Sequence, residues 1–188
     1  MSNLNLITIG RAGKTLASMA LIFILFCHIA IVSAQDRCWT AVGSDGTVDE
    51  ADLSTVALSA NSAAVRSTVT NATIDIRYNV VAVDGIFGDP RHTKSLTVRF
   101  ADNGAAARVV VRLQRMEIST GVVTTLVELN SNDYAPSTVA QTQTISFNCD
   151  GPEFDFQKNI YYIEVQLIKT GASGKPLIHV LQICNSVC

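Results

Sequence analysis

Apolar and polar residues alternate singly through much of this chain, most sharply near its C-terminus. Tyr161, Ile163, Val165 and Leu167 are separated by Tyr162, Glu164 and Gln166. Strand side chains repeat every two residues, so this pattern sets one face on a core and the other towards water. Tyr, Ile and Val also suit a pleated surface. Residues 170–176, TGASGKP, combine glycine, serine and proline, which is turn chemistry. Residues 177–184 are apolar on both faces. Ile178, Val180 and Cys184 fall on one; Leu177, Leu181 and Ile183 fall on the other. A one-residue slip would exchange those faces, so the register stays open. The expected element is a β-hairpin that needs a second layer for stability.

The same period recurs upstream. Ile74, Ile76, Tyr78, Val80 and Ala82 alternate with Asp75, Arg77, Asn79 and Val81. Leu96, Val98 and Phe100 alternate with Thr97 and Arg99, and the run ends in Ala101-Asp102-Asn103-Gly104. Asn-Gly tolerates the positive φ of tight turns, so a hairpin is expected there. Val109, Val111 and Leu113 follow in phase. Near Arg115 the apolar phase moves to Met116 and Ile118, which signals a bulge. Residues 56–59, 63–69, 123–129 and 144–149 read as further strands, whereas 38–52 and 130–137 read as loops. No helical period is present after residue 34. About nine short strands with regular turn signals predict an all-β fold, an antiparallel two-sheet β-sandwich of jelly-roll or immunoglobulin-like type. A closed barrel is the runner-up. Residues 35–188 are expected to form this single domain.

Residues 1–34 have a different character. Arg11 and Lys14 precede an apolar run over 16–32, no acid occurs before Asp36, and Val32-Ser33-Ala34 ends the segment with small residues. That is the layout of a signal peptide, with cleavage expected after Ala34. The rival is a retained membrane anchor, for which the run is at the short limit of a span. The segment also contains Gly10-Arg11-Ala12-Gly13-Lys14-Thr15. A phosphate-binding loop needs a further glycine at position 8, occupied by Thr8, and a flanking strand and helix. Nucleotide is therefore not an expected ligand.

Charge and cysteines narrow the class. Removing Arg11 and Lys14 from the 14 basic residues leaves 12 against 16 acids, a net charge of −4. The basic residues are scattered rather than clustered, which argues against a nucleic-acid partner. Without Cys27, the cysteines are Cys38, Cys149, Cys184 and Cys188. An even number in a secreted chain reads as disulfides, and four cysteines allow three pairings. The favoured set is Cys149–Cys184, joining two strand ends, with Cys38–Cys188 joining the termini. A four-thiolate zinc site wants two close pairs, and only Cys184 and Cys188 are close.

Signs of catalysis are sparse. His92 lies in a polar loop and His179 inside an apolar strand, far apart in sequence. No serine sits in a G-x-S-x-G elbow. Paired carboxylates remain open, because their pairing is spatial. Nothing singles out Glu117, Glu128, Glu153 or Glu164, and Glu164 reads as a solvated strand residue. The acidic stretch with Asp45, Asp49, Glu50 and Asp52 is a candidate calcium site, since calcium takes carboxylate and carbonyl oxygens from a turning chain. It lacks EF-hand spacing. Trp39, Tyr134 and Tyr162 are the candidate ligand-stacking aromatics, whereas Tyr78 is in phase with the core. Asn71-Ala72-Thr73 is a glycosylation acceptor in hosts that modify secreted asparagine. The expectation is a secreted protein, extracellular or periplasmic, that binds carbohydrate or another surface ligand without chemistry and without cofactor beyond that calcium. The alternatives are a structural or adhesive protein acting through protein contacts, and a hydrolase with unrecognised paired acids.

Overall fold

The computed structural model describes residues 38–82, 92–146 and 154–187. The expected signal segment, Cys149, Cys188, Glu153 and the side chain of His92 lie outside the described residues.

The described chain is built of antiparallel strands in two sheets, and the sandwich expectation holds. The strands are β1 (Cys38–Val42), β2 (Thr47–Val48), β3 (Val56–Leu58), β4 (Ala63–Val65), β5 (Asn71–Val80) and β6 (His92–Asp102). After them come β7 (Ala107–Glu117), β8 (Val123–Asn130), β9 (Ser137–Ser146), β10 (Asn159–Thr170) and β11 (Leu177–Val187). The first sheet runs β3-β4-β11-β6-β9, with β1 also paired to β11; the second runs β2-β5-β10-β7-β8.

The C-terminal hairpin expectation is corrected. Strand β10 lies between β5 and β7 in the second sheet, and β11 lies in the first sheet with β6 along one edge. Residues 171–176 carry the chain from one layer to the other, a gap of about 10 Å between packed sheets. The expected hairpin at Asn103-Gly104 is corrected likewise, since β6 and β7 belong to different sheets. Gly104 does take a left-handed φ of 118°. The turn at Ser119-Thr120-Gly121 is a true hairpin between β7 and β8.

A bulge explains the broken alternation of β11. In β11 the register with β6 shifts between Ile178 and Val180, so Ile178, Leu181 and Ile183 all face inward. That resolves the strand that looked apolar on both sides. The irregularity expected near Arg115 lies instead in β8, where Leu126 is the extra residue beside Leu113 and Gln114. Strand β7 itself pairs with β10 without interruption.

The inward residues close the core. Ile74, Ile76, Leu113, Ile163 and Leu167 from the second sheet pack with Leu96, Phe100, Leu181 and Ile183 from the first, all fully buried. Each such side chain contributes about 1.5–3 kcal/mol of burial.

Residues 38–52, expected as loop, hold β1, β2 and a 3-10 turn over Glu50–Asp52. Their glycines answer close packing: a Cβ on Gly43 would lie 2.2 Å from the Ile178 carbonyl oxygen. Tyr78, core as expected, donates its hydroxyl to the Gly43 carbonyl at 2.6 Å. Burial, and after it the Asp45 carboxylate, push that hydroxyl well above the ordinary tyrosine range, so it stays a donor.

Strand β1 also corrects the disulfides. It runs antiparallel to β11 with Cys38 directly opposite Cys184, Cα atoms 4.2 Å apart, and these two are bonded. Neither expected pairing, Cys149–Cys184 or Cys38–Cys188, is formed. As a loop, residues 38–42 would give Cys38 no strand partner to fix its register; as β1 they place it opposite Cys184.

Candidate functional site

Two carboxylates of the acidic stretch make local backbone contacts. Asp49 caps the 3-10 turn, its Oδ1 accepting from the Ala51 N–H at 3.1 Å. Asp52 Oδ2 accepts from the Asp75 N–H at 3.0 Å, tying the turn to β5. Among the described residues no three His, Cys, Asp or Glu side chains are grouped to hold a metal ion. Asp45, Asp49, Glu50 and Asp52 thus serve separately, two of them as acceptors for backbone N–H groups.

The three candidate aromatics are scattered. Trp39 is only 8 % exposed and belongs to the core, which corrects its expected role in ligand contact. It is in register with the inward-facing Ile183, so the backbone of β1 turns it away from solvent. Tyr134 is half-buried at the core rim, its ring 6.2 Å from that of Phe100. Tyr162 is half-buried on the outer face of the second sheet.

That outer face is where polar side chains converge. On β10 the inward positions are Tyr161, Ile163, Val165 and Leu167, so Tyr162, Glu164, Gln166 and Ile168 point out. Register brings four strands into rows. Asn79, Tyr162, Gln114 and Thr125 form one; Arg77, Glu164, Arg112 and Glu128 the next; Asp75, Gln166, Val110 and Asn130 the third. The middle row alternates in charge, which favours cross-strand pairing.

Arg112 is the hub. Its Nε donates to Glu128 Oε2 at 2.6 Å, and a terminal nitrogen donates to Gln166 Oε1 at 2.9 Å and lies 3.7 Å from Glu164 Oε2. The Gln166 amide donates onward to Asp75 Oδ1 at 2.9 Å. Gln114 donates to Glu164 at 3.3 Å and accepts from the Thr125 hydroxyl at 2.9 Å. Hydrogen bonds therefore cross from β5 to β8. Val110 and Gln114 are 1 % and 6 % exposed although they point outward, so neighbouring side chains shade the centre of this face.

Beyond the Tyr162 row the chemistry changes. Met116 pairs in register with Ile160 and Val123, and both of these are exposed. Ile118 and Val122 extend the apolar end into the hairpin turn. One face thus offers a hydrogen-bonding centre and an apolar border, with Tyr162 between them. It can supply several donors and acceptors to an extended polar ligand, and a ring for its apolar faces. Glu128 and Glu164 both face the Arg112 guanidinium, an arrangement that suits carboxylates used as acceptors.

Only Tyr162 of this face was singled out from sequence. Glu164, expected as a solvated strand residue, is a half-buried member of the network. Asp75, Arg77, Arg112, Gln114, Glu128 and Gln166 carried no signal except their place opposite the apolar phase.

No family model and no curated protein sequence matches the chain. Solved structures are similar to it at low identity. The xylan-binding module CBM15 is 10 % identical, covers 81 % of this chain and 99 % of its own, and gives a TM-score of 0.48. A cyclase from Fischerella sp. TAU is 15 % identical, covering 85 % of this chain and 80 % of its own, with a TM-score of 0.46. The C-terminal CBM6 module of LamC, a marine laminarinase from Zobellia galactanivorans, is 14 % identical over 79 % of this chain and 99 % of its own, with a TM-score of 0.43. At these identities the likeness concerns the β-sandwich fold alone.

Proposed function

We propose that this chain is a non-catalytic binding module that takes carbohydrate along the outer face of the β2-β5-β10-β7-β8 sheet. The supporting observation is the array running from Asp75 through Gln166 and Arg112 to Glu128, bordered by Tyr162. Sugar hydroxyls both donate and accept. Carboxylates, amides and a guanidinium fixed in a sheet meet them without large rearrangement. Tyr162 offers a ring to the apolar face of a sugar. The Cys38–Cys184 bridge supports a secreted location, extracellular or periplasmic, because cytosolic thiols are kept reduced.

The test is affinity electrophoresis of the full chain in gels cast with neutral and acidic polysaccharides, with calcium and with chelator. Retardation by at least one glycan is expected, weakened by Tyr162→Ala and unchanged by Tyr134→Phe. No retardation by any glycan, or retardation indifferent to Tyr162→Ala, refutes the proposal. Loss of retardation in chelator alone would bring the acidic stretch back as a calcium site.

A second reading, a structural or adhesive protein, is favoured by one feature. Strand β9 ends its sheet, and among the described residues it pairs with β6 alone. Its ten residues contain no charge, proline or glycine, and Val139 is 72 % exposed. Sheet edges are ordinarily guarded by lysine, proline or bulges; β9 has only the register shift against β6 between Phe100 and Asp102, which leaves residues 141–146 as its regular ladder. Under this reading Val139→Lys abolishes concentration-dependent self-association in sedimentation. A chain that stays monomeric at every concentration rules it out.

A further inference from the structure

A concavity lies where β4, β10 and β11 meet the loop that crosses between the sheets. It has a volume of about 270 Å³ and is lined by Ala64 and Val65 of β4, Ser67, Lys169 at the end of β10, Leu177 of β11, and the crossing loop between those last two. We propose that it is a binding site for a small amphipathic anion, a carboxylate on an apolar body, with Lys169 as its counter-ion.

The first ground is the cation. Lys169 occupies an inward position of β10 and is 2 % exposed. Its ammonium reaches the carbonyl oxygens of Arg66 and Ser67, both at 3.4 Å. An ammonium has three N–H donors, and two long contacts to neutral carbonyls leave it undersupplied. A buried charge without a counter-charge is costly. Lys175, exposed, adds a second cation to the lining, and the lining contains no carboxylate. An incoming carboxylate would supply the missing partner.

The second ground is the wall. Apart from Ser67 and the two lysines, the lining side chains are apolar: Ala64, Val65, Ala172, Pro176 and Leu177. The loop is held in place. Asn103 donates to the Ser173 carbonyl at 2.7 Å and accepts from the Lys175 N–H at 2.6 Å. Gly174 sits so close to Ala106 that a Cβ would lie 2.0 Å from its carbonyl oxygen. The pocket therefore exists before a ligand arrives, which limits the ordering cost of binding. Its volume is just under the ~300–1,000 Å³ of common small-molecule sites, so the ligand is small.

The test is isothermal titration calorimetry of the full chain with hexanoate, and with hexanol as the uncharged control. Hexanoate is expected to bind and hexanol to bind more weakly by about ten- to a hundredfold, the worth of a charge-assisted hydrogen bond. Lys169→Met should weaken hexanoate by the same factor. Ala172→Phe, which narrows the mouth and leaves the lysine in place, should also weaken it while leaving glycan retardation unchanged. Should Lys169→Met fail to fold, the hexanol comparison and Ala172→Phe decide. No heat with hexanoate, hexanol binding as tightly as hexanoate, or binding unchanged in both variants each overturns the proposal.

Discussion

Replacing Cys38 and Cys184 together by serine tests the register of β1 against β11. The bridge spans 146 residues of sequence. In the chain-entropy model, closing a loop of that length removes about 17 cal/mol/K from the unfolded ensemble, or roughly 5 kcal/mol at 25 °C. Engineered and native bridges deliver up to that figure, commonly 2–5 kcal/mol. The native state is expected to change little, because β1 keeps its ladder to β11 from Trp39↔Ile183 to Val42↔Val180 and Trp39 keeps its place in the core. Urea unfolding should therefore show a lower midpoint with a slope m altered through the looser unfolded chain. Cys188→Ser should leave the midpoint near that of the parent. Non-reducing peptide mapping adds a chemical readout: the Cys38 peptide should remain linked in Cys188→Ser and come free in Cys184→Ser. Tryptic cleavage alone cannot separate the two candidates, since no lysine or arginine lies between Cys184 and Cys188. A Cys38 peptide lost from its partner in Cys188→Ser, or a double variant as stable as the parent, would refute the argument.

Three further perturbations follow from buried polar groups and tight packing. Ser131, buried, accepts from the Val109 N–H at 2.8 Å and donates to Asp102 Oδ2, so Ser131→Ala removes the partner of each, while Asp102 Oδ1 keeps the Gly104 N–H at 2.9 Å; the variant should lose about 2 kcal/mol in denaturant melts, and a loss below about 0.5 kcal/mol would show that neither group depends on it. Gly43→Ala drives a methyl into the Ile178 backbone and should lower stability by about 1–3 kcal/mol or more, with an unchanged midpoint as the refuting result. His179 is held below the usual histidine value of 6.5, first by burial and then by the Arg99 charge, against a hydrogen bond with the Asn61 backbone. The unfolded chain therefore binds that proton more readily, and stability falls as pH drops from above 6.5 through the lower folded value. His179→Gln should flatten the parent's urea midpoint between pH 7.5 and 5, and an equal slope in both proteins would remove the basis of that expectation.

Single-strand faces were legible in the sequence, and strand partners were not. The alternation at 161–167 and 74–80 assigned inward and outward residues of β10 and β5 as the structure has them. Which strand lies beside them depends on two sequences at once, and turn residues do not distinguish a hairpin from a crossing between layers. TGASGKP has hairpin chemistry yet bridges two sheets, because both edges of β10 are occupied by β5 and β7. Strand β9 was largely missed for a different reason. Its residues 137–144 are mostly threonine, glutamine and serine, so an edge strand beyond the core shows no apolar contrast. Residues 38–48 were hidden by their glycines, which here serve close approach to Ile178, Ile76 and Tyr78 rather than loop flexibility.

The polar outer face was hidden more thoroughly, because a binding array and a solvated face have the same alternation. Three registers distinguish them, bringing Arg77, Glu164, Arg112 and Glu128 into one row from widely separated places in the chain. Such a row stabilises a sheet whether or not it binds anything, so Arg112 needs a test that separates the roles. Arg112→Lys keeps the charge but loses the planar fork that reaches Glu128 and Gln166 together. Partly exposed ion pairs contribute only about 0.2–1 kcal/mol, so stability should move by no more than that. Glycan retardation should fall much further, because Gln166 and Glu164 lose the group that fixes their direction towards a ligand. Arg112→Lys with parent-like retardation and a comparable loss of stability would mark the row as cross-strand support, and would move the binding surface elsewhere.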